Sequence, residues 1–101
     1  ETGKFLDSPQ EKLARLHEHI CLNHGNMRDE YPEQLMAMTY ILPEDTVLEI
    51  GGNIGRNSCI IASILDDDRR LVVLESCAEY AKQLEDNRNQ NYFNFHIEAS
   101  A

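Results

Sequence analysis

Apolar positions recur every three or four residues over the N-terminal part of the chain, then contract into short apolar runs separated by further helical patterns. Ser8-Pro9-Gln10-Glu11 reads as a capping box with proline at the first helical position, and Leu13, Leu16, Ile20 and His24 follow at helical spacing as far as Gly25. A second helix is expected from Tyr31-Pro32-Glu33 through Leu35, Met38 and Leu42, ended by Pro43. Thr46 to Ile50 is β-rich and apolar apart from Glu49, Asn57 to Leu65 is apolar and helical, and Leu71 to Leu74 is apolar throughout. Ser76-x-x-Glu79 opens another capped helix to about Asn89, and Phe93 to Ile97 supplies a third strand. The expected order is α-α-β-α-β-α-β.

Strands joined through helices of this length run parallel, with right-handed crossovers and helices covering the faces of the sheet. The unalternating run Leu71 to Leu74 agrees with a strand buried on both faces. The expected fold is therefore α/β, a Rossmann-like parallel sheet of β-α-β-α-β form preceded by two helices. Residues 1–45 form the helical segment and residues 46–101 the sheet-bearing part. Ligands in such sheets collect at the carboxyl ends of the strands.

Composition narrows the partners. The 101 residues carry 9 Lys plus Arg against 18 Asp plus Glu, a net charge of -9, with no basic run to follow a phosphate backbone, so nucleic acid is not an expected partner. No apolar run approaches the roughly 20 residues of a membrane helix, so no membrane partner is expected. Cys21, Cys59 and Cys77 cannot all pair and form no C-x-x-C, so each is expected as a buried, reduced thiol inside an apolar element. Glu1-Thr2-Gly3 resembles the remnant of a secretion vector and says little about the native compartment, for which a cytoplasmic location is favoured.

The stretch "VLEIGGNIGRNSCIIASIL", residues 47–65, sets glycines at the carboxyl end of the first strand. Gly51, Gly52 and Gly55 allow a sharp turn and a close backbone approach to a ligand, and the helix that follows adds its N-terminal dipole. The dinucleotide fingerprint G-x-G-x-x-G fails, because Asn53 and Arg56 occupy its second and third glycine positions. What remains is E-x-G-x-x-x-G beginning at Glu49, with a second acid, Glu75, at the tip of the next strand.

Together "VLEIGGNIG", "LVVLES" and "LEDNRNQNYFNFHIEASA" resemble the S-adenosylmethionine-dependent methyltransferases, and among them the FkbM family, over about residues 42–101. The resemblance implies Glu49 near the methionine amino group, Gly51, Gly52, Asn53 and Gly55 wrapping the cofactor, Glu75 on the ribose hydroxyls, and Glu98 and Ala99 bordering the adenine. Gly52 stands where alanine is usual, and Ser76 where proline commonly follows the acid. A sulfonium cation carrying an ammonium and a ribose diol suits two carboxylates in these places. The implied function is methyl transfer to an oxygen or nitrogen of a small molecule or glycan; no catalytic residue is assigned.

Plainer readings stand beside these. Glu75 alone suits the start of a helix, and the glycines suit a tight strand-to-helix turn. His17, Cys21 and His24 fall on one helical stripe, but it overlaps the apolar face and lacks a fourth ligand, so packing is expected and a metal is not. Asp66-Asp67-Asp68-Arg69-Arg70 reads as a solvated link. Since the resemblance implies a seven-stranded sheet and the third strand is followed at once by Ala101, about half the fold is expected to be absent, with little chemistry from this part alone. The other expectation is a non-catalytic interaction module, with self-association through the open sheet edge.

Overall fold

A computed structural model describes residues 7–100; Glu1-Thr2-Gly3 lies outside them. Helices α1 (Pro9–His19) and α2 (Tyr31–Tyr40) precede β1 (Val47–Ile50), α3 (Arg56–Ile64), β2 (Leu71–Leu74), α4 (Ala78–Gln90) and β3 (His96–Glu98). The three strands form one parallel sheet in the order β1-β2-β3, with Val47 beside Leu71 and Val72 beside His96. The expected parallel α/β arrangement is therefore present, and β2 has the bounds read from its apolar run.

The capping box forms in full: Ser8 Oγ accepts from the Glu11 N–H, and the Glu11 carboxylate accepts from the Ser8 N–H. The helix then stops at His19, short of the expected His24, with Ile20 already extended. The cause lies in α4 and the residue that caps its end, Asn91. Asn91 Oδ1 accepts from the Cys21 N–H at 2.8 Å, and Asn87 Oδ1 accepts from the Asn23 and His24 N–H groups at 2.7 and 3.1 Å. These side chains take the backbone donors that a longer helix would use. α2 ends at Tyr40, two residues before the expected Leu42, because Leu42 precedes Pro43 and gives its N–H to Asp45.

The sheet departs from the expectation of covered faces. Leu71 and Val73 are fully buried in one core with Cys59 and Ile60 of α3 and Leu84 of α4. That core also contains Leu13, Ile20 and Ala37, so the N-terminal helices pack onto the same body. On the opposite face the register sets Leu48 beside Val72 and Ile50 beside Leu74, and Leu48 and Ile50 are 59% and 78% exposed. Two crossovers of one hand, stepping the same way along the sheet, put both connecting helices on one side. The second face is open among the described residues.

Candidate functional site at the carboxyl ends of β1 and β2

The glycine turn is tied to β2 rather than held toward solvent. Gly51 and Gly52 both donate to the Leu74 carbonyl, at 2.8 and 3.0 Å, and Gly55 donates to the Gly52 carbonyl. Asn53, in the left-handed region at φ 56°, donates its N–H to Glu75 Oε1 at 2.7 Å, while its own Oδ1 accepts from the Ile54 N–H. Every N–H from Gly51 to Gly55 therefore has a protein acceptor. The expectation of a turn that offers these donors to a ligand is corrected: what it offers is open backbone at one residue. A Cβ on Gly51 meets nothing within 4 Å, whereas one on Gly52 lies 2.2 Å from Val73 Cγ1 and one on Gly55 lies 2.5 Å from Leu84 Cδ1. Gly51 faces space, and Gly52 and Gly55 face the core.

Glu75 is buried and closes the turn from the other side. Its Oε2 accepts from the Cys77 N–H at 2.9 Å, and its own N–H donates to the Glu98 carbonyl at 3.0 Å. The expected capping box at Ser76 does not form; Cys77 is the N-cap of α4 and makes no side-chain cap bond. Glu75 holds that amide instead, so it serves the helix entry and the glycine turn together. Each of its oxygens keeps acceptor capacity beyond these bonds. Ile50, Gly51, Leu74, Glu75 and Ser76 line a cleft of about 290 Å³ at the strand ends.

The other predicted site residues are distributed around this cleft. The Glu98 backbone is joined to Glu75, but its carboxylate bonds His96 and Ser100 on the exposed side of β3, and these bonds hold it below its usual pKa. Ala99 lines a separate cavity of about 340 Å³ between α4 and β3, with Lys82 and Arg88. Glu49 points to the helix-covered side, where it accepts from Ser58 Oγ and from Asn57 Nδ2 at 3.3 Å. It does not line the cleft.

Burial raises the Glu49 pKa above the usual 4.5, against the lowering bonds from Ser58 and Asn57 and with a further rise from Glu30. Asn57 Oδ1 is buried with no partner among the described residues. A raised folded pKa means that the folded state keeps its proton to higher pH than the unfolded chain, so this contribution to stability falls as pH rises from about 4.5 through the raised value. Glu49→Gln is neutral at every pH, so its melting temperature relative to the parent should climb between pH 4.5 and pH 7. Thermal melts at the two pH values check this; a constant difference contradicts it.

The cysteines and histidines need correcting. Cys59 is buried as expected, and burial, with Glu49 adding, pushes its thiol up to about 12. Cys21 and Cys77 are exposed, one in the extended strap after α1 and the other at the start of α4. His17, Cys21 and His24 share no stripe, since the helix ends between them; His17 Nε2 pairs with Gln34 Oε1 at 2.6 Å and His24 Nε2 with Asp86 at 3.0 Å.

Sequence reasoning missed Asn87. Fully buried, it also donates through Nδ2 to the carbonyls of Ile54 and His24, at 2.8 and 3.2 Å, joining the glycine turn, the strap and α4. Its only sequence signal is its place in "LEDN", three residues after Leu84 near the end of the expected helix. Comparison with family models, curated proteins and solved structures gives no match to the chain.

Proposed function

We propose that the chain carries the cofactor-binding part of an S-adenosylmethionine-dependent methyltransferase of the FkbM type, acting on a small-molecule or glycan acceptor. The observation that supports this is the cleft where Gly51 and Glu75 meet at the carboxyl ends of two parallel strands. A ribose fits its chemistry: the two Glu75 oxygens, each carrying one backbone bond, have a further acceptor site apiece for two vicinal hydroxyls. Gly51 lets the sugar approach the backbone. The failure of the turn to present free N–H groups suits a ligand without phosphates better than a dinucleotide. The bound cofactor would supply an electrophilic methyl group, and the residues here bind and orient it. Glu49 supports the site by fixing the start of α3 to β1.

Glu75→Ala should weaken S-adenosylhomocysteine binding by about 2 to 4 kcal/mol, the worth of two charge-assisted hydrogen bonds. It also leaves the Asn53 and Cys77 amides without their acceptor, so folding should weaken too, which circular dichroism would register separately. Glu75→Gln keeps the shape and one acceptor oxygen and should bind with an intermediate loss. Parent-like binding by both variants would reduce Glu75 to a clamp on the turn and helix.

A non-catalytic interaction module is the second reading. The exposure of Leu48 and Ile50 on the open face and the free edges of a three-stranded sheet favour it.

A further inference from the structure

The stretch of chain from α2 to the glycine turn contributes no basic side chain of its own; Arg70 reaches it from outside and is held by the Pro43 and Asp45 carbonyls, and Lys12 and Arg15 line a separate cavity with Met38 and Thr39. Between Asp29 and Gly55 there is no Lys, Arg or His, while Asp29, Glu30, Glu33, Glu44, Asp45 and Glu49 all fall there. Arg56, just beyond, is spent on Asp29, Glu30 and the Asn26 carbonyl. The same stretch exposes large apolar groups, with Met36 at 63%, Tyr40 at 74%, Leu48 at 59% and Ile50 at 78%. Between α2 and α3 lies a groove of about 480 Å³ lined by Glu33, Met36, Tyr40, Ile41, Asn57 and Ile61 among others. Asn57 reaches from its wall to Glu49 of β1, so groove and strand adjoin. β1 is an edge of the sheet and has no strand on its outer side among the described residues.

From this we infer that β1 and the α2–α3 groove form a docking site for an extended segment of another polypeptide, with apolar residues alternating with Lys or Arg, that adds to the sheet as a fourth strand. A strand in that place sends alternate side chains to opposite faces. One set covers Leu48 and Ile50 on the open face. The other enters the groove, where the stem of a basic residue packs on Met36, Tyr40 and Ile61 and its charged end reaches Glu33. β3 is the poorer edge, three residues long with His96 and Glu98 on it. A second copy is poorly matched as well, since its β1 brings the same acids to the interface.

The inference does not rest on the proposed cofactor, although Ile50 also lines the cleft, and is tested with two synthetic peptides of eight residues, one alternating valine with lysine and the other valine with glutamate. Backbone amide spectra and hydrogen exchange of the intact chain are followed as each is added. The lysine peptide should bind, shift the signals of residues 33–41 and 47–50, and protect β1 amides; the glutamate peptide should do neither. Glu33→Lys, on an exposed helix position, should weaken lysine-peptide binding by about five-fold at low salt and by less at high salt. Ile50→Lys, at an exposed strand position, should weaken it further. Equal binding of both peptides, binding of neither, shifts centred on β3, or β1 protection in the free chain that grows with its own concentration would each overturn the inference.

Discussion

Asn87→Ala should destabilise the fold by about 3 to 5 kcal/mol, the largest effect of any single truncation in the polar framework. The residue is fully buried and makes four bonds, accepting from the Asn23 and His24 N–H groups and donating to the His24 and Ile54 carbonyls. Alanine removes all four partners and leaves the Ile54 carbonyl, whose bond is buried, unsatisfied, with the partly buried Asn23 and His24 groups adding to the loss; an unsatisfied buried group costs about 1 to 3 kcal/mol. Asn87→Asp keeps the acceptor for Asn23 and His24 but loses both donors and introduces a charge, so it should be no better. Urea unfolding measures the loss. A change below about 1 kcal/mol would mean that the strap from Cys21 to His24 is not held by α4.

The glycines should divide by what lies beside them. Gly52→Ala and Gly55→Ala should each cost about 2 to 4 kcal/mol, combining overpacking with, at Gly55, a left-handed φ of +99°. At Gly52 the obstacle is Val73 Cγ1, a stiff β-branched side chain in the central strand, with Leu84 Cδ2 at 3.2 Å behind it. An alanine methyl group at this position therefore forces Val73 or the turn to shift. Gly51→Ala meets only the strain of φ +81°, about 1 kcal/mol, yet it puts a methyl group where the cleft opens. It should therefore spare folding and impair binding, the reverse of the other two. Unfolding curves of the three variants, taken together, decide this; equal losses at all three positions would contradict the division.

The local signals in the sequence were legible and the long-range ones were not. The capping box at Ser8, the run Leu71 to Leu74 and the glycines at the end of β1 are each specified within a few residues, and each lies where its pattern indicates. The end of α1 depends on side chains more than sixty positions away, on Asn87 and Asn91, and no local pattern carries that information. Ser76 has the spacing of a cap, yet Glu75 takes the Cys77 amide because its carboxylate is already anchored at Asn53. The glycine cluster showed where the chain must bend. It could not show that the Leu74 carbonyl would claim two of the freed N–H groups, because that contact belongs to the pairing of β1 with β2. Glu49 and Glu75 look equivalent as strand-end acids, but alternation along β1 turns Glu49 to the covered face, while Glu75 lies past the end of β2 and folds over the cleft.

The open face of the sheet bears on both functional readings. Leu48 and Ile50 are apolar, exposed and adjacent to Val72 and Leu74, a surface that favours a covering partner whether the chain binds a cofactor or another polypeptide. The cleft at Gly51 and Glu75 is of modest volume, so affinity for a complete cofactor should be weak but measurable.

Calorimetric titration with S-adenosylhomocysteine tests the central claim most directly. The account predicts heat on titration with S-adenosylhomocysteine, none with NAD, and loss of the signal in Gly51→Ala and Glu75→Ala. Binding of NAD alone, or no binding of S-adenosylhomocysteine by a chain that circular dichroism shows to be folded, would contradict it.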